Sequence, residues 1–180
     1  MYAWLIHNLI GEVDVWIASC YTAEGNDIQR LHRLNRIAAR AKLDFQLQCT
    51  ETNQEAILPR NLTCKDYNAY GVIPYEEPTL FSTEKLIVWK QRFGASYTAV
   101  IEANENPASA LLFVTSFGEQ LKTALKKPLL SVTRTVVQQH VDVVFAVAAQ
   151  LAPLGTLNIC QNLASSSELK GKDKIQTINT

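Results

Sequence analysis

The chain's 3 histidines, its 4 cysteines and two closely spaced glutamates are the side chains from which a catalytic or metal centre would have to be assembled. A zinc or transition-metal site needs several nitrogen or sulfur ligands converging on one point. His7, His32 and His140 fall in three separate predicted elements, and Cys20, Cys49, Cys64 and Cys160 contain no CxxC pair, so the spacing assigns no ligand set. Glu102 closes a predicted strand while Glu105 opens a turn, a poor arrangement for a paired acid and base. There is no GxSxG, no phosphate-cradling glycine loop and no dinucleotide fingerprint in a chain with only 7 glycines. The reading therefore assigns no catalytic residue, no cofactor and no metal.

Charge is equally uninformative about a ligand. Lys plus Arg and Asp plus Glu both number 17, a formal net charge of zero, which lacks the basic footprint of a nucleic-acid binder. Arg30, Arg33, Arg36 and Arg40 alternate with an apolar stripe and read as a solvated helix face rather than a phosphate or headgroup patch. Scattered cysteines and the lack of a signal-like amino terminus lead to the expectation of a reduced, intracellular protein. On that expectation, Asn61-Leu62-Thr63 is a chance match to the glycosylation pattern.

The elements that would position any site are clearer. Over residues 84–93 and 95–102 apolar side chains alternate onto both sides of the strands, and the short connection at Gly94 predicts an antiparallel hairpin. A sheet apolar on both faces lies between helix layers. A second hairpin is predicted from strands at 2–8 and 13–19 with a turn at Gly11-Glu12. Asn26 or Asp27 then caps a helix whose stripe is Ile28, Leu31, Leu34, Ile37, Ala38 and Ala41. Residues 46–79, polar and broken by Pro59, Pro74 and Pro78, read as a long loop, with a short edge strand near 80–82.

Asn106-Pro107 starts the next helix, with Ala110, Leu111, Val114, Phe117, Leu121, Ala124 and Leu125 as its stripe, and Pro128 stops it. Ser131 caps a third, which runs from Val132 to Leu151 and is apolar nearly all round. Its densest part rises only about 16 Å, half of a roughly 30 Å bilayer core, so it is not a membrane span. Val141, Val144, Phe145, Val147 and Ala148 exceed what one sheet face can cover and form the candidate partner interface. The long loop is the other candidate cover. The predicted fold is α+β: about five mostly antiparallel strands, one helix on one face and two on the other, in a single domain over 1–162 with a polar tail over 163–180.

That element order, with the segments YAWLIHNLIG, NDIQRLHRLNRIA and KLIVWKQRFGASYTAVIEANENPASALLF, resembles the longin-type sigma (small) subunits of adaptor protein complexes. WLIHNL, Tyr75-Glu76-Glu77-Pro78, the long loop and LAPLGTLNICQN are most similar to the sigma chain of the fifth complex. The motifs are short, and their order and spacing carry the resemblance.

What the resemblance implies is a non-catalytic scaffold in a heterotetramer, packed on a large zeta-type subunit with medium and beta-type subunits alongside. Spatacsin and spastizin are implied as associated proteins. The implied place is cytoplasmic, held indirectly on late endosome and lysosome membranes during protein transport. In other complexes sigma chains help bind acidic dileucine signals, but no pocket residue matches here, and the 46–79 insertion departs from those chains. The rival readings are a stand-alone longin or roadblock-type scaffold for a small GTPase or tethering complex, a longin SNARE, and a small-molecule sensor or enzyme. The tail offers neither the heptads nor the anchor a SNARE requires.

Overall fold

A computed structural model describes residues 1–22, 27–51, 68–125 and 132–157. Asn26, Asn61-Leu62-Thr63, Cys64, Pro59, Pro128, Ser131, Cys160 and the tail lie outside them. The predicted central hairpin is present: β4 (Lys85–Arg92) pairs antiparallel with β5 (Ala95–Glu102) from Lys85↔Glu102 to Arg92↔Ala95. Its two turn residues, Phe93 and Gly94, both have positive φ, 50° and 81°. This is the pattern of a type I′ turn, whose twist suits a two-residue hairpin. Phenylalanine is rare at such a position. Here its carbonyl accepts from Val132 N–H at 2.6 Å and Lys122 sits 4.1 Å from its ring centroid, so two segments distant in sequence hold the turn.

β1 (Ala3–His7) lies against the other side of β5 and pairs with β2 (Val15–Cys20). With β3 (Tyr70–Tyr75) beside β4, the sheet has five strands in the order β2-β1-β5-β4-β3, all antiparallel. The fold is α+β and compatible with a longin-like architecture.

β3 corrects the expected long loop and the expected edge strand near 80–82. Pro74 is a breaker in a helix or central strand, but on an edge strand it is tolerated because one row of N–H groups has no partner strand. The alternation is plain once the strand is placed: Gly71, Ile73 and Tyr75 point inward while Tyr70, Val72 and Pro74 point out. Leu80 and Phe81 are buried residues of the following corner rather than of a strand.

Both sheet faces are apolar, as the alternation requires. On one, Trp4, Val88, Tyr97 and Ile101 meet α2 (Pro107–Ala124), the short α3 (Arg134–Gln139) and α4 (Val141–Leu151). On the other, Leu5, Ile87, Trp89 and Val100 meet α1 (Arg30–Glu51). Asn106 caps α2 through Ala108 N–H at 2.9 Å, with Pro107 at the first helical position, as expected. Phe113 joins its buried stripe, whereas Ala124 is exposed.

α1 runs further than expected because Phe45 and Cys49 continue the buried row of Leu34, Ile37, Ala38 and Ala41, while Gln46 faces out. Ile28 and Leu31, assigned to that row, are exposed instead. Asp27 accepts from Gln29 N–H at 2.9 Å ahead of the helix, close to the capping role foreseen for it. The expected third helix is two. Thr133, not Ser131, caps α3 by accepting from Val136 N–H, and His140 at φ −127°, ψ 41° breaks the helix before α4. Valines on both sides of the break keep a helical period, so periodicity alone hides it.

One close approach fixes β3 against α1. Asp44 accepts from the Trp89 indole at 3.0 Å and from the Gln48 side chain at 3.1 Å. These groups meet over Gly71, where an added Cβ would stand 2.2 Å from Asp44 Oδ2 and 2.4 Å from Trp89 Nε1.

Candidate docking surfaces

The structure brings His7 into a polar chain that the sequence did not reveal. Its Nδ1 lies 2.8 Å from the Asn8 carbonyl and its Nε2 lies 2.9 Å from Thr98 Oγ1, which in turn is 3.3 Å from Ser96 Oγ. A carbonyl only accepts, so Nδ1 carries the proton and Nε2 accepts from the threonine hydroxyl. The arrangement has the order of an oriented base and a hydroxyl nucleophile. Yet His7, Thr98 and Ser96 are sealed within the sheet, and burial lowers the His7 pKa from 6.5 to about 4 against the raising effect of the Asn8 carbonyl. The chain of bonds thus satisfies buried polar groups and leaves the imidazole a weak base.

This has a measurable consequence. Above pH 6.5 His7 is neutral in both folded and unfolded chains, and between 6.5 and about 4 only the unfolded chain gains its proton. Stability is therefore expected to fall as pH drops through that window, by roughly 3 kcal/mol at most, and to level off below it. Urea midpoints at stepped pH for the wild type and His7→Gln measure it. Parallel pH profiles for the two proteins would exclude His7 as the source.

The other candidate groups do not converge. Glu102 accepts from Lys85 at 2.8 Å and from Thr83 at 2.9 Å. Burial raises its pKa, but these bonds outweigh it and hold the carboxyl below its ordinary range. Glu105 accepts from Glu102 N–H at 2.9 Å and from the Met1 amine at 2.7 Å, so the two carboxylates serve different partners. Among the described residues no group of three or more potential metal ligands occurs. An open cleft of about 450 Å³ beside Met1, Tyr21 and Gly155 has Glu105 as its charged wall.

The solvated-arginine reading needs correcting at Arg33. That side chain is buried, pairs with Asp27 at 2.5 Å, donates to the Leu80 carbonyl and lies over Phe81. Its guanidinium, with Asp27 as counter-ion, pins the 80–81 corner to α1. Arg36 pairs with Glu77 at 3.0 Å, and the Tyr75 hydroxyl donates to the same carboxylate. Burial, then the Glu77 carboxylate, pushes the Tyr75 phenol to about 12. The Tyr75-Glu76-Glu77-Pro78 segment is thus a braced corner on α1.

The structure divides the five interface candidates. Val144 (0% exposed), Val147 and Ala148 point into the core with Leu151 and belong to it rather than to an interface. The sheet and α2 cover that side of α4, so the third helix was less overexposed than its composition implied. Val141 and Phe145 stay outside, each 40% exposed, and the Phe145 ring rests edge-on against Trp4 at 5.4 Å.

No protein-family model matches the chain, and no curated protein matches it. The surface itself must supply the functional reading, and it contains a second apolar face the sequence reading missed. On α1, Leu43 and Leu47 are 45% and 51% exposed, on the row shared by Arg36 and Arg40. The i, i+4, i+7, i+11 spacing of Arg36, Arg40, Leu43 and Leu47 is visible in the sequence. It is easily overlooked because the stronger Leu34, Ile37, Ala41 and Phe45 row lies on the opposite side of the helix.

Proposed function

We propose that this chain is a small, non-catalytic scaffold subunit of a heterotetrameric vesicle-coat adaptor complex of the fifth type, acting in endosomal and lysosomal protein transport. The observation that carries the reading is the outward placement of Val141 and Phe145 on α4 of a longin-compatible fold. Val141 and Phe145 stand one helical turn apart, so together they present an apolar patch beside the core that a partner could cover. The order of the resembling segments supports the partner: a large zeta-type subunit, with medium and beta-type subunits completing the assembly and spatacsin and spastizin associating with it. Among the described residues no helix is long and apolar enough to cross a membrane. Recruitment to late endosomes and lysosomes would run through the other subunits.

Co-expression with a zeta-type large subunit is the test. The wild type is expected to co-purify in one monodisperse species, and Phe145→Asp to reduce recovery about tenfold while keeping the same far-ultraviolet spectrum. A wild-type chain that remains monomeric and ignores the large subunit would overturn the adaptor reading.

A further inference from the structure

Both free edges of the sheet are guarded against an added strand. On β3, Gln91 N–H donates to the Ala69 carbonyl at 2.8 Å, so by alternation the backbone groups of Tyr70, Val72 and Pro74 face outward. Pro74 has no N–H to offer, and the Gln48 side chain occupies the Tyr70 carbonyl at 3.0 Å. On β2, Tyr21 N–H donates to the Tyr2 carbonyl at 2.9 Å, which turns Ala18 and Cys20 outward. Arg30 donates to the Ala18 carbonyl at 3.1 Å, and a register shift between Ile6 and His7 bends the pairing. Charged side chains, prolines and bulges are the devices that close sheet edges. These contacts disfavour an added strand and favour a partner that engages side chains.

The outer row of α1 offers them. Arg36, Arg40, Leu43 and Leu47 span about 16 Å along the helix, a ridge of the kind that packs into the groove of a second helix. The ridge is polarised, cationic at Arg36 and Arg40 and apolar at Leu43 and Leu47. Glu77 partly neutralises Arg36, whereas Arg40 has no ion-pair partner among the described residues. We infer that this ridge docks an amphipathic helix of a partner protein, one that pairs an apolar seam with acidic residues facing Arg40.

The same chemistry suits an anionic membrane less well. Two cations contribute about 1 kcal/mol each at such a surface, and stable attachment takes more than that. The inference stands apart from the adaptor reading, because it concerns the opposite sheet face from Phe145.

The full chain is tested by fluorescence anisotropy against a labelled helical peptide of about 20 residues, with leucines at a and d and glutamates beside them. The same peptide with lysine in place of glutamate, and vesicles containing phosphatidylserine, are the comparisons. The acidic peptide is expected to bind and the lysine peptide not. Arg40→Glu and Leu47→Asp should each weaken binding about tenfold with unchanged melting temperature, while Phe145→Asp leaves it intact. Failure to bind the acidic peptide, equal binding by the α1 variants, or capture by vesicles alone overturns the assignment.

Discussion

Val144→Asp is expected to abolish folding, whereas Phe145→Asp on the adjacent position should leave a folded chain. Val144 has no solvent exposure and sits among the residues that join α4 to the sheet and α2. An unpaired carboxylate there either stays charged in an apolar core or takes up a proton, and each course costs several kcal/mol. A loss of about 4–5 kcal/mol approaches the whole stability of many domains. Phe145 gives up one edge-on contact with Trp4, worth about 1 kcal/mol. Circular dichroism and urea denaturation of the two variants make the comparison. Similar stability losses in both would show that α4 is seated differently from the packing described.

Gly71→Val is the second large effect. The missing Cβ is the space in which the Trp89 indole and the Asp44 carboxylate meet, with separations of 2.2 and 2.4 Å to an added carbon. Trp89 is fully buried and cannot swing away, so relief has to come from β3 lifting off α1 or from loss of the indole bond. Overpacking and a stranded buried donor each cost about 1–3 kcal/mol, and about 4 kcal/mol together. For a domain of this size that lowers the melting temperature by roughly 8–16 °C. Trp89→Phe, which removes the N–H but keeps an aromatic ring edge-on to Phe45, should cost about half as much. A melting temperature for Gly71→Val within a degree or so of the wild type would refute the close approach.

The parts of the fold legible in the sequence were those with one strong period. The hairpins over β1–β2 and β4–β5, the Asn106-Pro107 start of α2 and the two-sided burial of the sheet all follow from alternation and turn chemistry. Misjudgements arose where two rules competed. Pro74 outweighed the alternation of β3 in the reading, although an edge position removes proline's cost. The valines around His140 carried a helical period through a break set by one residue's backbone. The site was less legible still. Exposure separates Phe145 from Val144, and it depends on which side of α4 the sheet occupies, a tertiary fact absent from a helix with apolar residues almost all round. The His7, Thr98 and Ser96 chain depends on the β1–β5 register, Leu5↔Thr98 and His7↔Ser96, which joins positions about ninety residues apart.

That seam also governs the order of events as the chain leaves the ribosome. Each hairpin closes over a short span, but the join between β1 and β5 waits until residue 100 is available to Ala3. At roughly 5–20 residues per second, the amino-terminal hairpin and the first helix spend several seconds with one margin of β1 unmated. During translation this margin, rather than either finished edge, is where a holdase would act and where two nascent chains would be prone to tangle.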